Sequence, residues 1–111
     1  SSGVIVNSNV RIGGASMVTG GVRISRDVPP FIVATDNPVR YGGVNETLLK
    51  SSGTTDKVIG HIANAYRLVF HGQTSVFDAV IQIKEQVPEG KEVNAIIKFI
   101  KGTQLGIIGK I

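Results

Sequence analysis

The sequence of 111 residues contains no cysteine and no tryptophan. Without cysteine the chain can form neither a disulfide nor a thiolate metal site, and it offers no thiol nucleophile. This absence fits a reducing compartment, so we expect the protein to be cytoplasmic. Long apolar runs are also missing, because stretches such as residues 93–100 are short and interrupted by charge. We therefore predict neither a signal peptide nor a membrane span.

The chain is mildly basic, with a net charge of +4. Because the basic residues are not clustered and do not alternate with aromatic residues, we do not expect nucleic-acid binding. A mildly basic surface would suit an acidic protein or a phosphate-bearing ligand. The glycine pairs at positions 13–14 and 20–21 lack the lysine and hydroxyl residue that a phosphate loop needs at fixed spacing. Nucleotide triphosphate chemistry is therefore not predicted, and no cofactor or metal ion is expected.

The opening stretch repeats every six residues. The repeat has two phases, one with Val6, Ile12, Val18 and Ile24 and the other with Val10, Ser16, Val22 and Val28. This period is typical of a left-handed parallel β-helix, in which three six-residue faces make one triangular turn. We predict the last turns of such a β-helix over residues 1–34. Because each turn needs a neighbour and the sequence begins without Met, we expect a piece of a longer protein whose other turns precede Val4.

The six-residue period ends at Pro29 and Pro30, which cannot donate ladder hydrogen bonds. Residues 31–34 then form a predicted last extended segment. Asp27, just before the prolines, is expected to stabilise this exit rather than to act as an acid or base. Turn-forming residues indicate a linker over 35–43.

Helical periodicity begins after this linker, and we predict a small C-terminal helical domain over 44–111. Asn45 is a candidate N-cap of a first helix, and Thr54 or Thr55 of a second. Ser75 and Asp78 indicate a capping box for a third helix, which carries the apolar residues Phe77, Val80 and Ile83. A fourth helix is predicted from Val93, Ile96, Ile97 and Ile100. The predicted fold class is mixed β and α, the end of a left-handed parallel β-helix followed by a small helical domain.

Several motifs occur in a specific order: D-V-P-P-F-I-V-A, then Y-G-G-V-N, then a helix with Tyr-Arg-Leu, and finally G-T-Q-L-G-I-I-G. This order resembles the C-terminal part of the acyl-carrier-protein–UDP-N-acetylglucosamine O-acyltransferase family, over the length of the chain. The resemblance implies a homotrimer that moves a 3-hydroxyacyl chain from acyl carrier protein to the sugar of UDP-N-acetylglucosamine in lipid A biosynthesis. It also implies that the reaction takes place in clefts between adjacent β-helices.

The resemblance assigns no catalytic residue to this chain, because the family's general base is a histidine on an upstream coil. His61 and His71 are expected to be surface or helix-end residues, and the chain alone is expected to be inactive. Asn45 matches an asparagine that contacts the sugar nucleotide, although a helix N-cap needs the same side chain. Gly20 matches a small residue that limits acyl-chain depth, or is simply a turn glycine. Met17 would line the same groove.

The chain departs from the family pattern at two places. A His-Gln-aromatic run is replaced by Asn7, Ser8 and Asn9, whose polar groups can still hydrogen-bond to substrate. A basic pair that contacts nucleotide phosphates is replaced by Ser51 and Ser52, which leaves Lys50 as the nearby cation. Two alternatives therefore stay open: a non-catalytic module for trimerisation or acyl-carrier-protein binding, and a hexapeptide acyltransferase with another acceptor.

Overall fold

The computed structural model describes residues 5–6, 10–18, 23–24, 26–35, 40–72, 75–103 and 106–108. Short strands come first and helices follow. The strands are β1 (Ile5–Val6), β2 (Met17–Val18), β3 (Arg23–Ile24), β4 (Ile32–Thr35) and β5 (Arg40–Val44). The helices are α1 (Glu46–Ser51), α2 (Asp56–Phe70), α3 (Val76–Gln86) and α4 (Lys91–Gly102). None of the helices in the described part of the chain is long and apolar enough to cross a lipid bilayer.

The opening stretch winds back beside itself in parallel. Strand β1 pairs with β3, and Val6 lies beside Ile24, which is three repeats later in the same phase of the sequence period. Three repeats make one triangular turn, so the period in the sequence and this pairing agree. The next parallel pairs, Ile12 with Val28 and Met17 with Val33, span slightly less than three repeats, so the turn is already shortened before the prolines. The predicted extended segment after the prolines is confirmed as β4.

At the exit from this stretch, two backbone segments approach very closely. A Cβ atom on Gly13 would overlap the backbone nitrogen of Pro30, so only glycine fits there. Phe31 then adopts a left-handed conformation with φ 71°, and β4 leads into antiparallel pairing with β5. Residues 40–43 of β5 belong to the segment for which a linker is predicted.

The four predicted helices are all present, and their ends carry local stop and start signals. After α1, the Gly53 N–H donates to Lys50 O and the Thr54 N–H to Leu49 O, while Gly53 has φ 85°. These are the two hydrogen bonds of a Schellman motif. The side chains of Thr55 and Ser75 accept the backbone N–H groups of Val58 and Asp78, at the starts of α2 and α3. The predicted caps of α2 and α3 are therefore confirmed.

The core lies where the apolar faces of α2, α3 and α4 meet. Its fully buried members include Ile62, Val69, Ala79, Ile83, Ile96 and Ile100. Phe77 of α3 does not join them, because its side chain is 59% exposed. An apolar residue at helical spacing thus faces outward, because no described element covers that side of α3.

Asp27 joins the two parts of the chain. It is 1% exposed, and its carboxylate accepts hydrogen bonds from the Arg11 backbone N–H at 2.7 Å and from the Thr103 hydroxyl at 2.6 Å. Its backbone N–H donates to Gly106 O, and its carbonyl accepts the N–H of Ile108. Asp27 therefore connects the exit of the parallel segment to the end of α4 and the residues beyond, which agrees with its predicted structural role.

Candidate functional site

A groove of about 620 Å³ lies between β2 and the first turns of α1. We call it the β2–α1 groove. Ser16 and Met17 form one side, and Asn45, Glu46, Thr47, Leu48 and Ser51 form the other, with Val33 and Val44 between them. Two residues that the sequence predicts for substrate binding, Met17 and Asn45, therefore line the same groove although they are far apart in the sequence.

Met17 gives the groove an apolar wall. The side chain of this β2 residue is 48% exposed. An exposed, flexible thioether beside the aliphatic side chains of Val33 and Val44 can adapt to an apolar ligand. The position suits contact with an acyl chain better than contact with a charged group.

Asn45 occupies the N-cap position of α1 but does not cap the helix with its side chain. Instead, Nδ2 donates to the carbonyl of Ala15 at 3.2 Å, and the backbone N–H of Asn45 donates to the carbonyl of Phe31 at 2.7 Å. The residue is 9% exposed. The position predicted from the sequence is correct, but the side chain makes no capping hydrogen bond and its Nδ2 donates to another segment.

The two carbonyls that Asn45 holds belong to unusual residues. Ala15, with φ 56°, and Phe31, with φ 71°, are the non-glycine residues of positive φ in the described ranges. Such conformations cost about 1–3 kcal/mol and persist only when the surroundings hold them. Asn45 thus fixes the two backbone turns behind the groove. Sequence reasoning missed these turns, although each directly follows a glycine pair or a proline pair that could have indicated it.

Ser51 and Ser52 do not present their hydroxyl hydrogens to the groove. Both hydroxyls donate to the carbonyl of Leu48, at 2.9 Å each. Lys50 is exposed in the last turn of α1 and does not line the groove. Within the described residues, the groove is lined by one carboxylate, Glu46, and by no lysine or arginine.

The remaining candidate positions lie elsewhere. Gly20, Asn7 and Ser8 lie outside the described residues. His61 lies on α2 beside a separate pocket, and His71 is the C-cap of that helix, edge-on to Tyr41 at 6.2 Å between ring centroids. Both histidines are at the helical positions predicted for them. The described residues contain no cluster of three or more side chains suited to hold a metal ion.

An aromatic cluster supports the exit from the parallel segment. Tyr41 of β5 stacks on Phe70 of α2 with ring centroids 4.3 Å apart, and Tyr66 donates its hydroxyl to the carbonyl of Pro30 at 2.5 Å. Burial raises the pKa of both tyrosines, and the neighbouring Tyr41 raises the pKa of Tyr66 further. The phenols therefore stay neutral near pH 7 and act as structural groups.

Comparison with known proteins gives consistent matches. A family model described as UDP N-acetylglucosamine O-acyltransferase, domain 2, matches residues 27–108. The acyl-[acyl-carrier-protein]–UDP-N-acetylglucosamine O-acyltransferase of Paraburkholderia phymatum is 34% identical over 107 residues, which are 93% of this chain and 41% of that protein.

Solved structures show the same likeness. LpxA, a UDP-N-acetylglucosamine acyltransferase from Bacteroides fragilis, superposes with a TM-score of 0.94 at 34% identity, over 96% of this chain and 42% of that one. LpxA from Acinetobacter baumannii gives a TM-score of 0.91 at 26% identity, over 96% of this chain and 43% of that one. The chain thus spans about two fifths of the length of these relatives. With sequence motifs, family model and fold in agreement, the chain belongs to the UDP-N-acetylglucosamine O-acyltransferase family.

Proposed function

We propose that the chain is the C-terminal part of an enzyme that moves a 3-hydroxyacyl chain from acyl carrier protein to UDP-N-acetylglucosamine, in the cytoplasm, as a step of lipid A biosynthesis. Family membership supports this function. The observation that carries it is that Met17 and Asn45, which the family resemblance links to acyl chain and sugar nucleotide, line one groove.

The proposed architecture is the end of a left-handed β-helix over residues 1–34, a linker over 35–43 and a helical domain over 44–111, assembled as a homotrimer. Parallel pairing of β1 with β3, which places Val6 beside Ile24, supports the coil. Exposure of Ile12, at 44%, and of Met17 supports the presence of further turns or of neighbouring protomers, since either would cover these side chains.

In this proposal the chain binds and orients the substrates, and the general base comes from an upstream coil. The base takes the proton of the sugar hydroxyl, whose oxygen attacks the thioester carbonyl, and the thiol of the carrier protein leaves. Met17 packs against the acyl chain, while Gly20 leaves room for its far end. Because Nδ2 of Asn45 is bound to Ala15, its Oδ1 is the atom that would accept a hydrogen bond from the sugar nucleotide. Asn7 and Ser8 add polar contacts.

A second candidate function is favoured by the Ser51 and Ser52 side chains. Their hydroxyls donate to Leu48 O, and Lys50 lies outside the groove lining. Charge-assisted hydrogen bonds to phosphate contribute about 1.5–3 kcal/mol each, so a groove without them would hold a nucleotide diphosphate weakly. Either an acceptor other than a nucleotide sugar or a non-catalytic module for trimerisation or carrier-protein binding would be compatible with such a groove.

The test is a chimera in which this chain replaces the C-terminal part of the Bacteroides fragilis relative, behind the upstream coils of that protein. We expect acyl transfer from 3-hydroxyacyl carrier protein to UDP-N-acetylglucosamine by the chimera and no transfer by the chain alone. Replacing both serines in the chimera, with Ser51→Arg and Ser52→Arg, is expected to tighten UDP-N-acetylglucosamine binding by about tenfold or more.

Size-exclusion chromatography with light scattering shows whether the chimera is folded and trimeric, so that a loss of transfer can be assigned to one of the candidate functions. A folded, trimeric chimera that binds acyl carrier protein but not the sugar nucleotide would support the module instead. A folded chimera that transfers the acyl group only to another acceptor would leave the enzyme class intact and correct its substrate. Robust transfer by the isolated chain would contradict the assignment of the base to an upstream coil.

A further inference from the structure

A second groove lies between α3 and α4 and shares no lining residue with the β2–α1 groove. We call it the α3–α4 groove. Its volume is about 540 Å³, which is within the range of small-ligand sites in proteins. Ile83, Val87, Val93 and Ile97 form its floor. Each of these side chains is at most 9% exposed, so the floor is a firm part of the core.

Positive charge is concentrated at the edge of this floor. Lys84 comes from α3, and Lys98 and Lys101 come from α4, whereas Glu89 is the carboxylate among the residues that line the groove. The Lys84 ammonium group lies against that of Lys101 and lowers the pKa of Lys101. Two helices thus bring like charges together at one point.

The helix dipoles account for only part of this arrangement. Lys84 lies in the last turn of α3 and Lys101 in the last turn of α4, where a cation is favourable. A dipole does not explain why Lys84 and Lys101 lie close together, or why Lys98 lines the same groove beside an apolar floor. Like charges held together repel, and an anion placed between them would turn that repulsion into attraction.

We propose that the α3–α4 groove binds a small amphiphilic anion, whose carboxylate or phosphate head contacts Lys84, Lys98 and Lys101 and whose short apolar body lies on the floor. A fatty acid and an alkyl phosphate share this chemistry. Lysines from both helices line one groove of ligand size, which favours a small molecule.

The test is titration of octanoate and, separately, of octyl phosphate into the ¹⁵N-labelled chain, followed by amide chemical shifts. We expect saturable shifts of the amides of Lys84, Asn94, Lys98 and Lys101 with the preferred head group. Octylammonium carries the opposite charge and is expected to cause no such shifts. Added salt is expected to weaken binding, since the head group is held by charge.

Substitutions identify the site. Lys84→Met with Lys101→Met is expected to weaken binding by about tenfold or more, because charge-assisted hydrogen bonds are lost. Lys84→Arg keeps the charge and is expected to retain binding. Lys91→Met is the matched control, since Lys91 is an exposed residue of α4 outside the groove lining. Thermal unfolding of each variant confirms that it is folded.

Three results would overturn the proposal. The first is that neither octanoate nor octyl phosphate gives saturable shifts. The second is that the double substitution leaves the affinity unchanged in a folded variant. In the third, an amphipathic peptide rich in glutamate binds through these lysines while both small probes fail, which would make the groove a protein-docking surface. The titration involves no acyl transfer, so its outcome is independent of the proposed function.

Discussion

The strand-bearing and helical parts of this chain are stabilised in different ways. Parallel backbone pairing joins β1 to β3 and β2 to β4. In this part Ile12 and Met17 remain 44% and 48% exposed. The helices instead supply most of the buried apolar side chains, with Ile62, Ile83 and Ile96 at 0% exposure, although Phe77 of α3 is 59% exposed. The core is therefore mainly helical, and Val28, Ile32 and Ala34 of the strand-bearing part are buried with it. Within the described residues, the strand-bearing part thus combines buried with half-exposed apolar side chains.

The contacts between the two parts include specific polar ones. The carboxylate of Asp27 receives the Thr103 hydroxyl, and the Tyr66 hydroxyl donates to Pro30 O. The guanidinium of Arg11 lies 4.3 Å from the centroid of the Phe99 ring. Specific hydrogen bonds fix the orientation of the parallel segment on the helices, while apolar burial supplies most of the stability of the helices.

The largest expected difference between the two parts is in the cost of losing one isoleucine. Ile100→Ala should lower the free energy of unfolding by about 2–5 kcal/mol, because it leaves a cavity in a packed core. Ile12→Ala should cost less than about 1 kcal/mol, because the side chain is already half exposed. Urea denaturation of both variants measures this. Equal losses would contradict the contrast between the buried Ile100 and the half-exposed Ile12. A larger loss for Ile12→Ala in the chimera, which carries upstream coils, would sharpen that contrast.

Asp27→Ala tests the junction. It should lower the free energy of unfolding by about 1–3 kcal/mol, because the Arg11 N–H and the Thr103 hydroxyl lose their acceptor in a partly buried site. Thr103→Val removes one of the two hydrogen bonds and should cost less. Chemical denaturation measures both losses. If neither variant is destabilised, Asp27 does not connect the two parts energetically.

Alkaline pH should weaken the packing of α2 against the proline pair that ends the parallel segment. Burial raises the pKa of Tyr66 in the folded state above that of an unfolded tyrosine, which is about 10. The stability that protonated Tyr66 contributes to the folded state is fully present below the pKa of the unfolded tyrosine. It is lost as the pH rises towards the folded pKa, by up to about 1.4 kcal/mol per pH unit.

Tyr66→Phe supplies the control for this pH effect. The variant should be less stable at pH 7, because Pro30 O loses its donor, and its stability should fall less steeply above about pH 10. Urea denaturation at a series of pH values compares the two slopes. Parallel slopes for the two proteins would show that Tyr66 does not carry the effect.

The smallest expected effect concerns Asn45. Asn45→Ala should cost about 1 kcal/mol and should speed hydrogen exchange near Ala15 without affecting α3 or α4. Asn45→Asp tests the hydrogen bond to Ala15 at constant size, because aspartate is accepted at an N-cap position but cannot donate to Ala15 O. We expect the Asp variant to behave like the Ala variant. Retained stability with Asp would contradict a stabilising role of the hydrogen bond to Ala15.

Helices were predictable because their signals are local. The Thr55 and Ser75 caps and the buried face of α4 follow from residues three or four positions apart. Strand β5 was not predicted, because its pairing with β4 is a contact between segments and its two glycines resemble a turn. The exposure of Phe77 was not predicted either, since periodicity defines a face of a helix but not the presence of a neighbour.

The candidate site, like the fold, was predictable from the sequence only in part. Met17 and Asn45 could be named as candidates from motifs, but not their meeting in one groove. The left-handed turns at Ala15 and Phe31, and the commitment of Asn45 to both carbonyls, depend on contacts between residues that are distant in the chain. The turning of both serine hydroxyls to Leu48 O was likewise beyond sequence reasoning.

From the sequence alone, the six-residue period and the proline pair predicted the parallel segment and β4, the helical periodicity predicted the four helices, and the order of the motifs indicated the family. The structural predictions among these depend on the conformational preferences of residues that are close together in the sequence. Only the tertiary structure decided that Asn45 holds two left-handed turns, that Asp27 joins the ends of both parts, and that three lysines line one groove between α3 and α4. Hydrogen bonds and charges act through space, so their partners depend on how the segments pack.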